Sequence, residues 1–500
     1  MCGILIIISK KDIPLDQNIC LTSLKELKNR GPDKNLYNFF NKKKIFIGNT
    51  ILGITGKIKK GNRLYSSYNK NIHLAFNGEI YNYEEIKKKF IFLRNRNKTD
   101  TEILANLYNY RDPSKTLNLL NGMYAYVTHD KKSKKIYFST DPQGEKRLFK
   151  YDDDDYLIIS STPNPIIKFL KKKIILNKKI FSTYFKTRHF LHIKNSIYKE
   201  ISYLEPGVLY TYNIQKKSIH KKKFDDPLSW ISKKKYYKYK KLGMEKSSKL
   251  LKKKIIETLK LISTESSFGT VMSGGVDSTL ISYLLKNKKN NIFSISINNI
   301  GKDPVVKKIK NFKNFFNFKK FHEIKINTKK YFSGLKETYQ MFKFPLPSHD
   351  LVGRLKLFKF FKKKNVRVCY SGDGADEIFG GYTLYENINW SKKVNHNLSP
   401  YSYIKKPIAS DEEMYTQKMW SNAYKKYNSF LSKKESRMQA SLFTDYFIQC
   451  VGVHNITNDI LAGENSLEIR SVFLNKNILK FALNLPIKYK INSNEKDPLM

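Results

Sequence analysis

The first part of the chain, from Met1 to about Asn213, carries short runs of β-branched and aromatic residues separated by turn residues. Few helical patterns intervene between these runs. The runs with the length and composition of strands are Ile4–Ile8, Lys44–Ile47, Ile72–Phe76, Tyr124–Val127, Lys135–Phe138 and Tyr156–Ile159. We therefore predict an N-terminal α+β domain in which antiparallel sheets pack face to face as a sandwich.

The pattern changes at about Ser267, where a strand, a loop, a helix and another strand begin to alternate. The strands are expected over Phe268–Met272 and Ile292–Ile297, and the helix over Asp277–Leu285. Alternation of this kind is typical of α/β domains, so we expect a second domain with a mainly parallel sheet.

A lysine-rich region between Gln215 and Ser247 separates the two patterns and includes the run Lys221–Lys223. Because clear periodicity is lost there, we expect a linker or an exposed helix. We accordingly place the first domain at residues 2–215 and the second at residues 230–500.

The chain of 500 residues is strongly basic, with 94 Lys and Arg against 43 Asp and Glu and a formal net charge of +51. Such an excess can bind nucleic acid by counterion release. Here the lysines are spread from Lys10 to Lys496, arginine is scarce, and Asn, Ile, Phe and Tyr are also abundant, which is the bias that A/T-rich codons produce. We attribute the charge to coding bias and expect no nucleic-acid partner.

The cysteines and the apolar runs indicate the compartment. Cys2, Cys20, Cys369 and Cys450 show neither a CxxC pair nor the spacing of a zinc site or disulfide framework. No run of about 18 apolar residues occurs, and Ile4–Ile8 is too short for a signal sequence or a membrane span. We therefore expect a soluble cytoplasmic protein.

Cys2, followed by Gly3, is the first residue with an evident chemical use. Removal of Met1 would give one residue both a thiol and a free α-amine. An α-amine has a pKa of about 7.7 to 8.0, so part of it is neutral at physiological pH and can accept the thiol proton. Cys2 is thus a candidate nucleophile that carries its own base, although a cysteine here also suits a small buried side chain.

Three further segments follow Met1-Cys2-Gly3 in order: Arg30–Asp33 (RGPD), Asn77–Asn82 (NGEIYN) and Thr99–Glu102 (TDTE). Taken singly, they fit a surface turn, a hairpin tip and a helix capping box. Together they resemble the glutaminase domain of class II glutamine amidotransferases, which has an Ntn-type fold, and of asparagine synthetases in particular.

The resemblance implies how glutamine would be bound and hydrolysed. The Asn77 side chain and the Gly78 N–H would form an oxyanion hole for the tetrahedral intermediate. Glu79 and Asp100 would hold the α-amino end of the substrate.

One glutamine-binding position departs from the family. The family normally carries an arginine, which pairs with the glutamine carboxylate, where this chain has Ile51. An isoleucine cannot form that pair. Backbone groups or a nearby base such as Arg63 would have to replace it.

The loop Ser273-Gly274-Gly275-Val276-Asp277-Ser278 lies between a predicted strand and a predicted helix. Its glycines allow a tight turn whose N–H groups face a phosphate chain, and the helix N-terminus adds positive potential. The loop lacks the GK[ST] ending of a Walker A motif and resembles the pyrophosphate loop of N-type ATP pyrophosphatases. The alternative is a glycine-rich turn with Asp277 as a cap.

A second acidic segment, Ser371–Tyr382 (SGDGADEIFGGY), follows a predicted strand over Val366–Tyr370. Its acids suit a position beside a metal ion and a polyphosphate, where Asp277 and Asp376 could coordinate Mg²⁺. The segment resembles the second signature of the asparagine synthetase domain, in which the acid at the position of Asp373 contributes to forming the acyl-adenylate.

The same resemblance places further residues at the nucleotide. Those expected at the adenine are Val271, Met272 and Ile295, and those expected to contact the nucleotide are Ser371 and Gly372. The segment Asn465–Arg470 is similar to the SLEVR segment of the family, although the PFLD that usually follows reads Val472–Asn475 (VFLN) here.

The resemblance extends from Cys2 to about Pro498. Family members continue beyond the point that matches Leu499–Met500, so we expect the second domain to lack a tail that carries a lysine used in adenylation. The candidates to replace that lysine are Lys488, Lys490 and Lys496.

The predicted activity is that of an ATP-dependent carbon–nitrogen ligase. Cys2 would release ammonia from glutamine, ATP would adenylate aspartate, and ammonia arriving through an internal tunnel would displace AMP to give asparagine. The resemblance implies that glutamine, aspartate and ATP are the substrates and that Mg²⁺ is a cofactor. It also allows the protein to be a homodimer. Three alternatives stay open: amidation of another acid, such as a sugar carboxylate in surface-polysaccharide synthesis; a degenerate homologue that binds without catalysis; and, as the outsider, a basic nucleic-acid-binding protein.

Overall fold

The computed structural model of the protein describes residues 1–11, 13–56, 61–93, 99–171, 175–187, 194–286, 297–298, 311–318, 321–342, 350–382, 385 and 411–491. Internal contacts divide the chain into two units. The first unit consists of Met1–Lys178, Ile193–Asp226 and Asn458–Glu468, and the second consists of Lys179–His192, Pro227–Thr457 and Ile469–Met500. Each unit is therefore assembled from segments that are separate in the sequence.

Antiparallel strands build the first unit. Its described strands are β1 (Gly3–Ser9), β2 (Lys34–Phe40), β3 (Ile45–Ile51), β4 (Tyr65–Ser66), β5 (Ile72–Ile80), β6 (Gly122–Asp130), β7 (Lys135–Thr140), β8 (Phe149–Asp152), β9 (Tyr156–Ser160), β10 (Ile201–Tyr203), β11 (Val208–Asn213) and β12 (Ser218–Lys223). They form two six-stranded sheets, in the orders β10-β8-β9-β1-β3-β2 and β12-β11-β7-β6-β5-β4. The pairings within both sheets are antiparallel.

Apolar side chains from the two sheets meet in a shared core. Ile4 and Ile6 of β1 and Ala125 and Val127 of β6 belong to one buried cluster. These residues are spaced by two, the period that points one face of a strand inward. The predicted sandwich of antiparallel sheets is confirmed.

Helices cover the opposite face of the second sheet. The helix Asp100–Tyr110 contributes Ile103 and Leu107 to a second buried cluster, which also contains Leu74 and Phe76 of β5. The other helices lying within the first unit are Gln17–Lys25, Tyr83–Lys89, Pro113–Leu117 and Asn164–Leu170, and Lys178–Thr187 begins at its boundary.

The second unit surrounds short parallel strands with helices. Its strands are β13 (Phe268–Thr270), β14 (Ile297–Asn298), β15 (Ile324–Lys325), β16 (Val368–Ser371) and β17 (Glu468–Ser471, whose first residue belongs to the first unit). One sheet has the order β13-β16-β17, and both β13 with β16 and β14 with β15 pair in parallel. The predicted α/β domain with a parallel sheet is confirmed, although residues 292–296 of the expected second strand lie outside the described residues.

Helices account for most of the remaining described residues of the second unit. They are Lys233–Leu242, Met244–Leu261, Val276–Leu285, Thr328–Phe342, Leu351–Lys363, Ala375–Phe379, Asp411–Asn428, Lys433–Asp445, the π-helix Tyr446–His454, Lys476–Ala482 and the first three residues of Asn455–Glu464, the rest of which belongs to the first unit. Within the described ranges, none of the helices combines the length and apolar character that a bilayer crossing demands.

The lysine-rich region between the two sequence patterns contains more regular structure than a linker. The lysines of Lys221–Lys223 lie on β12, which pairs with β11 and stands at the edge of its sheet. Only one side chain of this strand is apolar, that of Ile219, so the sequence shows no alternation. Exposed lysines on an edge strand oppose pairing with another chain. The helix Lys233–Leu242, capped by Ser232, corresponds to the expected exposed helix.

Candidate active sites

A cavity in the first unit brings Cys2 together with most of the predicted glutamine-binding residues. Its lining includes Cys2, Ile51, Gly78, Glu79 and Asp100. These residues come from the start of β1, the ends of β3 and β5, and the first turn of a helix. The strand pairing therefore assembles residues that are up to about a hundred positions apart in the sequence.

The Cys2 thiol lies beside the backbone of Leu52, whose N–H points at Sγ from 3.5 Å. Burial raises the pKa of the Cys2 thiol, and the neighbouring N-terminal amine and the Leu52 contact oppose this effect. Burial also lowers the pKa of the Met1 α-amine to about 5. Burial of this kind favours the neutral form of an amine, which is the form that can accept a thiol proton.

Asn77 and Gly78 lie within β5 and not at a hairpin tip. The Asn77 side chain is fully buried, and neither atom of its amide has a hydrogen-bond partner among the described residues. Gly78 has φ of +134°, and a Cβ there would lie 2.0 Å from the Met123 carbonyl oxygen, so only glycine fits. A buried amide without a partner is costly to keep, and it is available to bind a substrate oxygen.

The two carboxylates predicted to hold the substrate amine are both buried at this cavity. Glu79 accepts hydrogen bonds from the Thr55 hydroxyl at 3.1 and 3.2 Å. Asp100 begins the helix Asp100–Tyr110 and accepts a hydrogen bond from the Ile80 N–H at 3.0 Å. Burial raises the pKa of Asp100 to about 6. Asp100 therefore stands in the first turn of its helix and also lines the cavity, so the two interpretations of this residue do not exclude each other.

Ile51 belongs to both the cavity wall and the core of the sandwich. It is the last residue of β3, its exposed fraction is 8%, and it packs in the cluster that fills the space between the sheets. Arg63, proposed as a substitute base, is exposed and is not among the residues that line the cavity.

We expect Ile51→Arg to lower the KM for glutamine by about tenfold, because a charge-assisted pair with the substrate carboxylate contributes more than a neutral contact. The measurement is the glutaminase KM together with the Tm of the variant, and Ile51→Met controls for the size of the side chain. If Ile51 serves only the core, a buried unpaired guanidinium will lower the Tm without lowering the KM, and that result contradicts the assignment.

Sequence reasoning missed Asn49, which connects the two sheets beside Cys2. Its Nδ2 donates to the carbonyl oxygens of Gly3 at 2.8 Å and Phe76 at 3.2 Å, and its Oδ1 accepts from the Phe76 N–H at 3.0 Å. The Asn49 amide thus holds Gly3, the residue after Cys2, close to Phe76, the residue before Asn77. The sequence feature that could have indicated Asn49 is its polar side chain within the mainly apolar run Ile45–Ile51. Other lining residues that were not predicted are Thr55, Tyr65, Thr99, Thr101 and Glu468.

A larger cavity of about 360 Å³ lies in the second unit and is lined by both predicted nucleotide segments. The lining residues that were predicted from the sequence are Val271, Ser273, Asp277, Ser278, Ser371, Gly372, Asp373 and Asp376. Met272 is fully buried, and neither it nor Gly274 nor Gly275 belongs to the lining. Ile295 lies outside the described residues.

The two glycine-containing segments touch at the start of the helix Val276–Leu285. Gly274 has φ of +87°, which the tight turn requires and which favours glycine. A Cβ on Gly372 would lie only 3.0 Å from the Cβ of Asp277, so the second segment approaches the first closely. Backbone N–H groups at such a helix start are suited to bind phosphate.

Asp373 faces an arginine that sequence reasoning did not select. The Nη1 of Arg354 lies 3.5 Å from the Asp373 carboxylate, and its Nε donates to Asp350 at 2.7 Å. All three side chains line the cavity. The sequence feature that could have indicated Arg354 is the presence of an arginine in a chain whose basic residues are mostly lysine. A guanidinium binds carboxylate and phosphate in a fixed geometry that lysine cannot reproduce.

Among the described residues of the second unit, side chains at two places offer donor atoms for a cation. Asp277, Asp373 and Asp376 line one cavity and offer the oxygen donors that Mg²⁺ prefers. A different set consists of Glu377, Cys450 and His454, whose ligand atoms lie within 4.8 Å of one another. Its mixed oxygen, sulfur and nitrogen donors suit a softer ion of the zinc class.

Lys488 and Lys490, two of the candidates to replace the family's tail lysine, do not line this cavity. Lys490 is buried, and its Nζ donates to the Gln439 Oε1 at 3.0 Å. Burial lowers the pKa of Lys490 to about 7. Lys488 is exposed, and Lys496 lies outside the described residues.

Comparisons with known families match both halves of the chain. The sequence model described as "Glutamine amidotransferase domain" matches residues 1–225. The model described as "Asparagine synthase" matches residues 257–499. The order of the two matches follows the order of the two motif sets along the chain.

Similar proteins come from an archaeon, a bacterium and a mammal. A Methanocaldococcus jannaschii protein, whose name gives glutamine-hydrolysing asparagine synthetase as a provisional assignment, is 30% identical over 73% of this chain and 72% of its own. Asparagine synthetase 1 of Bacillus subtilis is 23% identical over 98% of this chain and 82% of its own. The Cricetulus griseus asparagine synthetase is 25% identical over 77% of this chain and 67% of its own. The chain belongs to the glutamine-hydrolysing asparagine synthetase family of ligases.

Proposed function

We propose that this chain makes asparagine from aspartate, with glutamine as the nitrogen donor and ATP as the activating substrate. The observation that carries the proposal is the first cavity, whose lining includes Cys2, Gly78 and two buried carboxylates. Asn77 precedes Gly78 outside the lining, and its buried amide has no hydrogen-bond partner among the described residues. Family membership supports a glutamine-dependent ligase, and aspartate is the acceptor that we assign to it.

Glutamine hydrolysis would use the residues around Cys2. After Met1 is removed, the neutral α-amine of Cys2 accepts the thiol proton, and Sγ attacks the amide carbon of glutamine. The Asn77 Nδ2 and the Gly78 N–H donate to the developing oxyanion. The amine then passes its proton to the leaving nitrogen, ammonia departs, and water hydrolyses the thioester to glutamate.

Activation of the acceptor would use the second cavity. The loop Ser273–Ser278 and the following helix start hold the phosphates of ATP. A carboxylate oxygen of aspartate attacks the α-phosphorus, pyrophosphate leaves, and ammonia then displaces AMP from the acyl-adenylate. Asp277 and Asp376 would hold a Mg²⁺ ion, which would neutralise charge on the polyphosphate.

The acceptor is tested directly by product analysis. The protein is incubated with ATP, Mg²⁺, amide-¹⁵N glutamine and, separately, aspartate, glutamate or a hexuronic acid, and the amide is identified by mass spectrometry. We expect ¹⁵N-asparagine together with equal amounts of AMP and glutamate. An amide formed only from another acid would replace aspartate as the acceptor, and AMP formation with no acid at all would contradict the synthetase assignment.

A further inference from the structure

A segment from the synthase half of the sequence is part of the first unit. Asn458–Glu468 lies inside the region matched by the asparagine synthase model, yet its contacts place it with the residues that surround Cys2. The segment contributes Asp459 and Glu468, each with an exposed fraction of 3%. Two carboxylates buried this deeply require compensating partners.

Arg30 is the nearer of two basic partners of Asp459, the other being Lys146, whose Nζ lies 3.8 Å from the carboxylate. Arg30 is completely buried instead of lying in a surface turn. Its Nη2 lies 2.8 Å from the Asp459 carboxylate, and its Nη1 donates to the Asp459 carbonyl at 2.9 Å. The guanidinium therefore holds both the side chain and the backbone of Asp459. A Cβ on Gly463 would lie 2.6 Å from the Arg30 Nη1, so the segment packs directly against this side chain.

A third nitrogen of the Arg30 guanidinium, Nε, points to the backbone of Cys2. Its Nε donates to the Cys2 carbonyl oxygen at 3.1 Å. One rigid guanidinium thus connects Asp459 to the backbone of Cys2, and a planar group held on one edge fixes the position of the other.

The end of the segment also reaches the N-terminus. The Leu467 carbonyl accepts a hydrogen bond from the Met1 α-amine at 3.5 Å, and Glu468 lines the cavity together with Cys2. The negative charge of Glu468 raises the pKa of that amine against the larger effect of burial. The Leu467 contact is lost when Met1 is removed, whereas Glu468 remains in the wall of the cavity that contains Cys2.

We infer that Asp459, acting through Arg30, is a positioning residue for Cys2 in glutamine hydrolysis. The inference rests on the proposed role of Cys2 as the nucleophile. A contribution to folding stability does not explain why Arg30 and Asp459 form a buried ion pair, because such a pair is often no more stabilising than apolar residues of similar volume. The bond from Arg30 to the Cys2 carbonyl gives the ion pair a use that apolar residues could not supply.

The test begins with Asp459→Asn, which keeps the size of the side chain and removes the charge that holds Arg30. We expect the glutaminase kcat to fall about 100-fold, as displacement of a reacting group by about 1 Å can cause, with the KM for glutamine changed by less than about threefold. Ammonia-dependent synthesis by the same protein should remain near the wild-type rate. Glu464→Gln is the matched control, since this acid lies in the same segment and pairs with the Asn29 side chain at 2.8 Å.

A second variant separates positioning from folding. Arg30→Met combined with Asp459→Leu replaces the 2.8 Å pair by apolar groups. Because the Lys146 Nζ lies 3.8 Å from the same carboxylate, both changes are made in a Lys146→Met background, where the Tm should return close to that of Lys146→Met alone. If Asp459 positions Cys2, the double variant regains its Tm but not its glutaminase kcat. If the pair only stabilises the fold, kcat recovers with Tm, and the inference is wrong.

Cys2→Ala, measured in parallel, distinguishes failure of the inference from failure of the proposed function. Loss of glutaminase activity in Cys2→Ala with normal kcat in Asp459→Asn would overturn the positioning role alone. Retention of glutaminase activity in Cys2→Ala would overturn the proposed nucleophile and, with it, the reason for a positioning residue.

Discussion

Replacement of Cys2 by alanine is expected to abolish glutamine-dependent amide synthesis and to leave ammonia-dependent synthesis intact. Only the first cavity uses the thiol, so the glutaminase rate should fall by at least about 10⁴-fold, as it does when a covalent nucleophile is removed from an enzyme. The second cavity contains no atom of Cys2 in its lining, and it should adenylate the acceptor as before.

The measurement compares asparagine formation from glutamine with formation from ammonium chloride in the same preparation. Cys20→Ala is the matched control, because this second cysteine of the first unit is buried in the helix Gln17–Lys25 and does not line the cavity. Equal loss of both reactions in a folded Cys2→Ala protein would rule out two separate sites.

Removal of one carboxylate from the second cavity should have the opposite effect. We expect Asp277→Asn and Asp373→Asn each to depress pyrophosphate release by about 10² to 10³-fold, while glutamine hydrolysis stays measurable. Asp277 stands in the first turn of the phosphate-facing helix, and Asp373 faces Arg354 across the cavity wall. Loss of either charge unbalances a site that must bind a polyphosphate and a cation together.

The assay is acceptor-dependent pyrophosphate release, with glutaminase activity recorded on the same samples. Glu257→Gln serves as a control for loss of a carboxylate, because Glu257 is exposed and pairs only weakly with Lys253 at 3.9 Å. Unchanged pyrophosphate release in both aspartate variants would show that ATP binds elsewhere.

Local patterns in the sequence were sufficient for the sandwich. Runs such as Ile4–Ile8 and Tyr124–Val127 became strands β1 and β6, because their strand propensity depends mainly on neighbouring residues. Strand β12 was not predicted, since one apolar side chain among lysines shows no periodicity and the strand exists only through its pairing with β11.

The candidate sites likewise contain some features that the sequence predicts and others that appear only in the structure. The residues of the loop Ser273–Ser278 are contiguous, so their types alone indicate a phosphate-facing turn before a helix. The contact between Arg354 and Asp373 joins two different elements, a helix and the loop after β16. Nothing in either local pattern selects the other residue as a partner.

By itself, the amino-acid sequence determined the two fold classes, the order of the two chemical halves and the residue types expected at each cavity. Tertiary structure alone decided that Arg30 meets Asp459, which is 429 positions away, and that Asn49 connects the sheets beside Cys2. The physical reason is that strand propensity and turn chemistry act over a few residues, whereas the partner of a buried charge or amide depends on which distant elements pack together.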